Sequence, residues 1–339
     1  MRTLALLGTL IVALPLAAAE PEMTVKKSEG SLEFSFGGEL VTKYVTAATA
    51  AKPYFWPLNA PGAVPVTRAW PMMKGAAGET TDHVHQKSAW FCHGDVIPEG
   101  VELKTKSSDK RVHGVDFWSE TAGHGKMVCV EVGEPKILSK TEVRVPTKNE
   151  WRTADGDKIL DETRTITVRK LDKGYLVELA IDLNASVCPI TFGDTKEGAM
   201  GVRVPDATAL SSKAGEGTIT SSDGKTASAG AKDNLPIWGV AADWHDYTGK
   251  VGDKTAGIAV FDDAGNKLRS VWHTRAYGLM AANPFGRAGS GFPGVKGNKE
   301  LVTMAKGEHL KLRYGLYTHT GDAKAGGVAG AFASFGSAE

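Results

Sequence analysis

Alternation of apolar and polar residues with a period of two runs through most of this chain and predicts β-strands. In residues 162–183, apolar side chains alternate on both sides of a turn formed by Asp172, Lys173 and Gly174, as in a β-hairpin. No segment keeps its apolar residues at helical spacing, so long helices are not expected. Gly supplies 40 of the 339 residues and marks many of the turns. We therefore predict an all-β fold, a large antiparallel β-sandwich.

The first nineteen residues have a different character and indicate a secretory signal peptide. Arg2 supplies a positive charge, and residues 4–16 form an apolar stretch that is too short to span a bilayer. Ala17, Ala18 and Ala19 offer a small-residue cleavage site. No second apolar stretch of spanning length follows. We therefore expect an exported protein, periplasmic or secreted, with no membrane span after signal cleavage.

The rest of the chain divides by composition. We predict a single β-sandwich domain over 20–320 and a weakly structured C-terminal tail over 321–339, where the residues are small and unpatterned. Residues 211–232 are rich in Gly, Ser, Ala and Lys and indicate a long loop. Residues 53–71 carry prolines between aromatic residues and predict a rigid, irregular wall.

Charge and cysteine content exclude several classes of function. Loss of Arg2 with the signal peptide leaves 39 basic and 39 acidic residues, and no basic block appears, which argues against nucleic acid as a partner. The odd number of cysteines (Cys92, Cys129 and Cys188) leaves at least one thiol unpaired. The sequence lacks a nucleophile-elbow motif, a P-loop and a dinucleotide-binding motif, so we expect no cofactor.

Six short motifs place a charged or imidazole side chain beside Trp, Tyr or Gly. They lie at 82–85, 93–95, 114–118, 193–198, 242–247 and 272–277. Such groups are costly to bury unpaired, and they suit a concave site that stacks a polar ring and hydrogen-bonds its edges. Because the motifs lie far apart along the chain, only the fold could bring them together.

Histidines dominate the first two motifs. On a strand, His83 and His85 would point to the same face, and His93 follows in the next motif. Three converging imidazoles could hold a metal ion, or one of them could serve as a general acid or base. The third interpretation is that two of them are hydrogen-bonded packing residues.

The motif at 193–198 encloses two acids, a Lys and a Thr between glycines, which predicts a tight polar turn. A carboxylate held there, such as that of Glu197, could act as a base if partial burial raises its pKa. The strand that follows places Arg203 on the face opposite Met200 and Val202. The alternative is an ordinary turn whose charges are solvated.

The last two motifs combine a flat aromatic ring with polar groups. Trp244 and Tyr277 could stack on the C–H face of a sugar, while Asp243 and Arg275 could bind its hydroxyls. The alternative is a pair of core-edge strands with aromatic packing.

Taken together, the motifs resemble an exported bacterial family usually labelled "methane oxygenase PmoA-like", a domain of unknown function. The resemblance covers roughly residues 53–317. It is carried by residues 53–55, 65–68, 82–85, 93–95, 114–118, 193–198, 242–244 and 272–286. The chain departs from the family pattern Asp-His-Pro-His-His-Arg, because Val84, Gln86 and Lys87 replace Pro, His and Arg. It also carries an insertion between Asp95 and His113.

The resemblance implies a galactose-mutarotase-like supersandwich that occurs with sugar-processing enzymes. We do not expect methane oxygenation, because a particulate methane monooxygenase subunit is an integral membrane protein. We expect a carbohydrate-binding protein with acid/base chemistry at or near an anomeric carbon, as in an epimerase, hydrolase or lyase. His85 or His273 would be the acid and Glu197 the base. The expected substrate contacts are His83, His93, Asp116, Trp118, Arg203, Asp243, Trp244, Arg275 and Tyr277.

Two alternatives belong to other classes of function. One is a carbohydrate-binding module without chemistry, which would carry the same aromatic residues on an open face. The other is a metal-dependent oxidoreductase with His83, His85 and His93 as ligands, which requires the three imidazoles to converge on one point.

Overall fold

The computed structural model describes residues 20–73, 79–212, 215–232 and 235–337. The predicted signal peptide at 1–19 lies outside these described residues. Strands dominate the described part of the chain, and the paired strands are antiparallel. The prediction of an all-β fold built from large antiparallel sheets is confirmed. Within the same residues, no helix has the length and apolar character needed to cross a bilayer.

Strand follows strand along most of the chain. The strands are β1 (Met23–Ser28), β2 (Ser31–Phe36), β3 (Glu39–Val45), β4 (Tyr54–Ala60), β5 (Val64–Pro65), β6 (Ala89–His93), β7 (Val96–Pro98), β8 (Lys126–Val132), β9 (Lys136–Ser139), β10 (Glu142–Arg152), β11 (Lys158–Lys170), β12 (Gly174–Asn184), β13 (Ile190–Phe192), β14 (Gly198–Arg203), β15 (Thr218–Ser221), β16 (Thr226–Ser228), β17 (Trp244–Val251), β18 (Lys254–Asp262), β19 (Val271–Trp272), β20 (Leu279–Asn283), β21 (Val302–Met304) and β22 (His309–Thr320). The helical elements of the described residues are two 3-10 turns, Ala288–Ser290 and Pro293–Val295, and one α-helix, α1 (Val328–Gly336).

The strands form two large sheets and one small sheet. Sheet I is nine-stranded in the order β1-β2-β3-β4-β6-β14-β20-β19, with β5 paired to β4. Sheet II is ten-stranded in the order β16-β15-β17-β18-β22-β12-β11-β10-β8, with β9 paired to β10. Sheet III contains β21, β13 and β7. Phe91 of sheet I meets Trp151 and Tyr314 of sheet II at ring-centroid distances of 6.2 and 6.0 Å, so the core lies between the large sheets.

The hairpin predicted at 162–183 is present as β11 and β12. Ile166 lies opposite Leu179, and Val168 lies opposite Val177, and all four side chains are buried. Burying an aliphatic side chain of this size stabilises the fold by about 1.5–3 kcal/mol. The alternating pattern therefore fixes which face of sheet II meets the core.

The two faces of sheet I have different roles. Phe91 and Met200 lie opposite each other on the face that meets sheet II. Because side chains alternate along a strand, Trp90 and its partner Gly201 point to the other face. We call this second face the outer face of sheet I. Arg203 of β14 also lies on it, as its spacing from Met200 and Val202 predicted.

Two segments differ from the predictions. Residues 218–228, expected in a long loop, form the hairpin β15–β16 at the edge of sheet II. The C-terminal tail expected at 321–339 contains α1, whose Val328, Ala331 and Phe335 are buried. Their spacing places them on one side of the helix, against Phe261 and Tyr317 of sheet II. The Gly and Ala residues between them weaken the apolar stripe in the sequence.

Candidate functional site

A polar cleft lies where the loops around β6 and β14 meet. Its volume is about 380 Å³, within the range of about 300–1,000 Å³ that is typical of ligand pockets. It is lined by Gly94, Asp95, Asp109, Arg111, Val112, Asp116, Ser119, Asp194, Thr195, Lys196, Glu197, Gly289 and Ser290. Larger cavities of about 500, 460 and 580 Å³ occur among the described residues, but none of the predicted site residues lines them.

Glu197 ends the turn that precedes β14 and lines the cleft. Its carbonyl oxygen accepts the Gly94 amide at 2.8 Å, and its own amide donates to Thr195 Oγ1 at 3.2 Å. A Cβ atom on Gly94 would lie 2.9 Å from the Glu197 Cβ atom, so this close approach needs a glycine. Burial raises the pKa of the Glu197 carboxyl; nearby Asp116 also raises it, whereas Lys196 lowers it.

Asp116 supplies a second carboxyl to the cleft. Its Oδ1 accepts the Trp118 amide at 2.8 Å and the Ser119 amide at 3.0 Å, which fixes the carboxyl at the end of its loop. Burial raises the pKa of Asp116, and the two backbone donors oppose that rise. The cleft therefore holds two carboxyls whose protonated forms are favoured by burial, an arrangement typical of acid/base sites.

Two further aspartates of the cleft hold its loops. Asp194 Oδ1 accepts the amides of Arg287 at 2.7 Å and Ser290 at 2.9 Å. Asp95 Oδ1 accepts the amides of His113 at 3.0 Å and Gly114 at 2.7 Å. Because their oxygens are occupied by backbone donors, Asp194 and Asp95 give the cleft its shape.

A ring cluster on the outer face of sheet I lies beside the cleft. The His83 and Tyr277 rings stack at 5.1 Å with an angle of 6° between their planes. The guanidinium carbons of Arg203 and Arg275 lie 4.6 and 5.4 Å from the Tyr277 centroid. Burial raises the pKa of Tyr277, and Glu197 contributes to that rise. Arg275 of this cluster lowers the pKa of Glu197 in turn.

The Asp82 carboxylate contacts three side chains in and around this ring cluster. Its Oδ1 accepts from Arg68 at 2.7 Å and from Arg203 at 3.1 Å, and its Oδ2 lies 2.7 Å from His83 Nδ1. Burial opposes ionisation of Asp82, but Arg203 and Arg68 hold the pKa of its carboxyl far below the usual value. Asp82 is therefore a permanent carboxylate between two buried arginines and an exposed imidazole.

His85 lies in a different electrostatic environment. Lys52 Nζ donates to the Trp118 carbonyl at 2.9 Å and to Glu120 at 3.3 Å, and Lys87 also donates to Glu120. Burial and the charge of Lys52 lower the pKa of His85 to about 3. The His85 ring is therefore neutral at pH 7, which does not suit the predicted role of proton donor.

His93 faces the core and not the cleft. Its Nε2 contacts the Gly193 carbonyl at 2.9 Å, and its ring packs on Phe285 at 4.8 Å. Burial lowers the pKa of His93 to about 4. The prediction of His93 as a substrate contact was wrong, because its parity along β6 is that of Phe91.

The metal alternative also fails on geometry. Residues 82–88 form no strand, but the His83 and His85 rings still approach each other, with their centroids 5.6 Å apart. His93 lies on the opposite side of sheet I from the cleft. Among residues 20–73, 79–212, 215–232 and 235–337, no three His, Cys, Asp or Glu side chains are arranged to hold a metal ion.

Three other predicted contacts lie away from the cleft surface. Trp118 is fully buried and packs on Trp90 at 5.0 Å, so it cannot stack on a sugar. Asp243 forms an ion pair with Arg269 at 2.7 Å at the start of β17 in sheet II. Trp244 packs against the cluster beneath α1. None of the three lines the cleft, because the sheet and the face that each motif joins are not visible in its residue types.

His273 lies on the outer face of sheet I, but it is buried. It exchanges backbone hydrogen bonds with Ala281, which is paired with Gly201. Its ring lies 6.0 Å from the Phe292 ring. Through Ala281 and Gly201, His273 is in register with Trp90 of β6. Its role as the acid stays a prediction.

Several polar residues of the site carried no predicted role. They are Lys52, Arg68, Gln86, Arg111 and Glu120. Arg68 lies in the Pro-Val-Thr-Arg motif, and Gln86 replaces a His of the family pattern. Both residues therefore lie in or next to segments that carry the family resemblance. Lys52 and Glu120 carry no comparable local signal.

This chain matches one protein family and is distantly similar to several solved structures. A family model described as "Family of unknown function (DUF6807)" matches residues 31–333, while no curated protein matches the sequence. The GH36 alpha-galactosidase AgaB of Geobacillus stearothermophilus is similar over 88% of this chain and 41% of its own, with 8% identity and a TM-score of 0.42. A galactose mutarotase-like protein of Lactobacillus casei ATCC 334 is similar over 88% of this chain and 100% of its own, with 11% identity and a TM-score of 0.33. At such TM-scores, these likenesses carry no argument about the site.

Proposed function

Because the chain belongs to the DUF6807 family, whose function is unknown, we propose a function from the chemistry of its cleft. The protein binds a saccharide or sugar derivative and performs acid/base chemistry at or near its anomeric carbon. Glu197 is the base. The resemblance to exported PmoA-like proteins that occur with sugar-processing enzymes agrees with a sugar ligand.

One observation carries this proposal. Glu197 is a largely buried carboxyl with a raised pKa, and it lines an open polar cleft that can hold a sugar ring. A general base is most effective when its pKa lies near the working pH. Burial therefore moves Glu197 towards the range in which it can both take and return a proton.

The remaining cleft residues support a ligand rich in hydroxyl groups. Asp116, Arg111 and Lys196 offer charged acceptors and donors around Glu197. Hydrogen bonds to charged groups contribute about 1.5–3 kcal/mol each, more than neutral pairs. An apolar ligand would leave these groups unpaired, so the lining favours a polar one.

Export is part of the proposal. The signal-peptide pattern at 1–19 supports a mature chain that begins at Glu20 in the periplasm or outside the cell. Expression of the full chain in a bacterium, cell fractionation and N-terminal sequencing test it. Recovery of uncleaved protein in the cytoplasm would contradict export without affecting the proposed chemistry.

The experiment that tests the chemistry compares wild type, Glu197→Gln and a control, Glu102→Gln. Glu102 is exposed and does not line the cleft. Thermal shift with D-glucose, D-galactose, D-glucuronate and lactose reports binding, and NMR of the anomeric protons reports exchange or hydrolysis. We expect a sugar to raise Tm in all three proteins, and Glu197→Gln alone to lose turnover by about 10²–10⁴-fold.

The outcomes separate the candidate functions. Binding without turnover in wild type would favour a carbohydrate-binding module and reject the acid/base role of Glu197. Turnover that survives in Glu197→Gln would reject Glu197 as the base. Absence of any Tm shift with these sugars, together with absence of turnover, would reject a saccharide ligand of this class.

A further inference from the structure

We propose that Asp116 is the general acid that works with Glu197, and that the reaction of the cleft is hydrolysis of a glycosidic bond. This inference rests on the proposed sugar chemistry, in which Glu197 supplies only one of two proton transfers. The sequence alone had placed Asp116 among the substrate contacts and had assigned the acid role to a histidine.

Few groups of the cleft can give a proton at neutral pH. The described residues that line it include no histidine. Asp109 forms an ion pair with Arg111, whose Nε and Nη2 lie 3.0 and 2.6 Å from its oxygens, and this pairing lowers the pKa of Asp109 to about 2. The two aspartates that hold the loops accept backbone amides. Asp116 and Glu197 are therefore the carboxyls of the cleft that are suited to proton transfer.

The backbone places these two residues on either side of one peptide group. The Phe117 amide donates to the His93 carbonyl at 3.1 Å, and the Gly94 amide donates to the Glu197 carbonyl at 2.8 Å. The carbonyl of His93 and the amide of Gly94 belong to the same peptide, so the segments that carry Asp116 and Glu197 are its two neighbours. Both side chains line the same cleft. A single ligand there can contact both carboxyls.

The loop that carries Asp116 determines where its proton resides. The amides of Trp118 and Ser119 both donate to Oδ1, at 2.8 and 3.0 Å, so a protonated Asp116 carries its hydrogen on Oδ2. Asp116 is 2% exposed, and burial keeps its pKa above the usual value. The same two amides stabilise the carboxylate that remains after the proton has been given.

Electrostatics favour a different protonation state for each carboxyl. Like charges that share a site oppose each other's ionisation, so one carboxyl of the pair holds a proton more readily. The cations that lower the pKa of Glu197 are Lys196, Arg275 and Arg111, whereas Lys52 lowers that of Asp116. The larger number of cations favours Glu197 as the carboxylate and Asp116 as the acid. Glycosidic bonds are commonly hydrolysed by such a pair.

The proton transfers balance with one molecule of water. Asp116 gives its Oδ2 proton to the glycosidic oxygen while the C1–O bond breaks and its electron pair goes to that oxygen. The oxygen of the water forms a bond to C1, and Glu197 takes the proton that the water loses. The products are a free sugar and an alcohol. Transfer of a proton from Glu197 to Asp116 through solvent restores the starting state.

The kinetic test uses two leaving groups that differ in their need for an acid. The probes are phenyl and 2,4-dinitrophenyl glycosides of D-glucose, D-galactose and D-glucuronate, in both anomeric forms. Phenoxide departs readily only with a proton, whereas dinitrophenolate departs without one. We expect Asp116→Asn to lower kcat/KM by about 10²–10⁴-fold for a phenyl glycoside and by less than about tenfold for the dinitrophenyl glycoside, and Glu197→Gln to lower both alike.

The variant and its control are matched in local structure. Asn at position 116 retains an oxygen that accepts the Trp118 and Ser119 amides, so the loop is preserved. Asp322 is exposed, does not line the cleft, and accepts at its Oδ1 the Ala325 amide, three residues on, at 2.7 Å. We expect Asp322→Asn to match wild type. An equal loss on both leaving groups in Asp116→Asn, or phenyl glycoside hydrolysis within about threefold of wild type, would overturn the acid role.

A second measurement needs no variant. In wild type, kcat/KM for a phenyl glycoside should fall as pH rises through the pKa of the acid, because only protonated Asp116 can give a proton. We expect this decrease to be absent for the dinitrophenyl glycoside. The same decrease with both leaving groups would overturn the acid role, even if Asp116→Asn does not fold.

The outcomes distinguish this inference from the proposed function. If wild type interconverts the anomers of free D-glucose or D-galactose but hydrolyses none of the glycosides, glycosidic hydrolysis is rejected and the proposed function survives. If wild type neither interconverts anomers nor hydrolyses a glycoside, both proposals fail. Hydrolysis that depends on Glu197 but not on Asp116 would support the proposed base and reject the proposed acid.

Discussion

At the scale of single residues, the cleft contains a carboxyl, that of Glu197, whose charged form is destabilised by burial. Glu197 has a raised pKa, and the carboxyl of Asp116 beside it adds to that rise. A group of this kind lowers the stability of the folded state at neutral pH, because the native protein holds its proton more tightly than the unfolded chain. Active sites commonly show such a conflict between stability and function.

This conflict predicts how Glu197→Gln changes stability with pH. Between the ordinary Glu pKa of about 4.3 and the raised pKa of Glu197, native wild type binds more protons than the unfolded chain, so its stability falls as pH rises. Glutamine does not titrate. We expect Glu197→Gln to be more stable than wild type at pH 7, by about 1.4 kcal/mol for each unit by which the pKa is raised, with no gain at pH 3. Urea unfolding at several pH values measures the difference, and a gain independent of pH would contradict this origin.

His319 and Asp246 form a buried pair whose contribution to stability also falls as pH rises, over a range that begins at the ordinary His pKa. Burial opposes protonation of His319, but the Asp246 carboxylate at 2.8 Å raises its pKa above the usual value. Stability from the pair is therefore fully present below pH about 6.5 and is lost as pH rises through the raised pKa. We expect Asp246→Asn to cost about 3–5 kcal/mol at pH 6 and less at pH 9. A cost that is equal at both pH values, measured by denaturant unfolding, would show that His319 does not change its protonation between them and would contradict this prediction.

At the scale of elements, the sequence predicted what local alternation determines. The hairpin β11–β12 was predicted because Ile166, Val168, Val177 and Leu179 alternate on both sides of a short turn. Helix α1 was missed, because its buried residues Val328, Ala331 and Phe335 and the partly buried Phe332 stand among Gly, Ala and Ser. Its position is determined by contact with Phe261 and Tyr317 of sheet II, which local pattern cannot reveal.

The attachment of α1 predicts the effect of Phe335→Ala. The Phe335 side chain is fully buried, and its ring lies 5.7 Å from that of Phe261. Truncating a buried Phe to Ala costs about 3–5 kcal/mol where the element stays packed. Because α1 is terminal, we expect it to detach first, so its amides lose protection from hydrogen exchange while those of β22 keep it. Ser334→Ala, on the exposed side of the helix, is the control, and protection of α1 retained in Phe335→Ala would contradict this attachment.

At the scale of the whole molecule, the site is assembled from segments far apart along the chain. Glu197 and Asp116 come from two distant motifs and line the same cleft, whereas Tyr277 stacks on His83 and does not line it. Asp243 and Trp244 have the same residue types but lie in sheet II. Which sheet and which face a motif joins depends on strand order, and strand order depends on long-range pairing that residue composition does not encode.

At the same scale, the rates at which the three cysteines react with a disulfide reagent measure how the folded molecule opens. Cys92, Cys129 and Cys188 are all unpaired, and they differ in burial: Cys92 is fully buried in sheet I, and Cys129 is partly exposed on β8. Burial raises the pKa of the Cys92 thiol to about 12, which suppresses the reactive thiolate. We expect a disulfide reagent to label Cys129 first in the native protein, and Cys92 only when the residues that cover the outer face of sheet I move away from it. Cys129→Ser and Cys92→Ser assign the phases, and raising the urea concentration should accelerate the Cys92 phase with the full slope of global unfolding. A shallow slope for Cys92 would mean that the region around β6 opens locally while the rest of the sandwich stays folded.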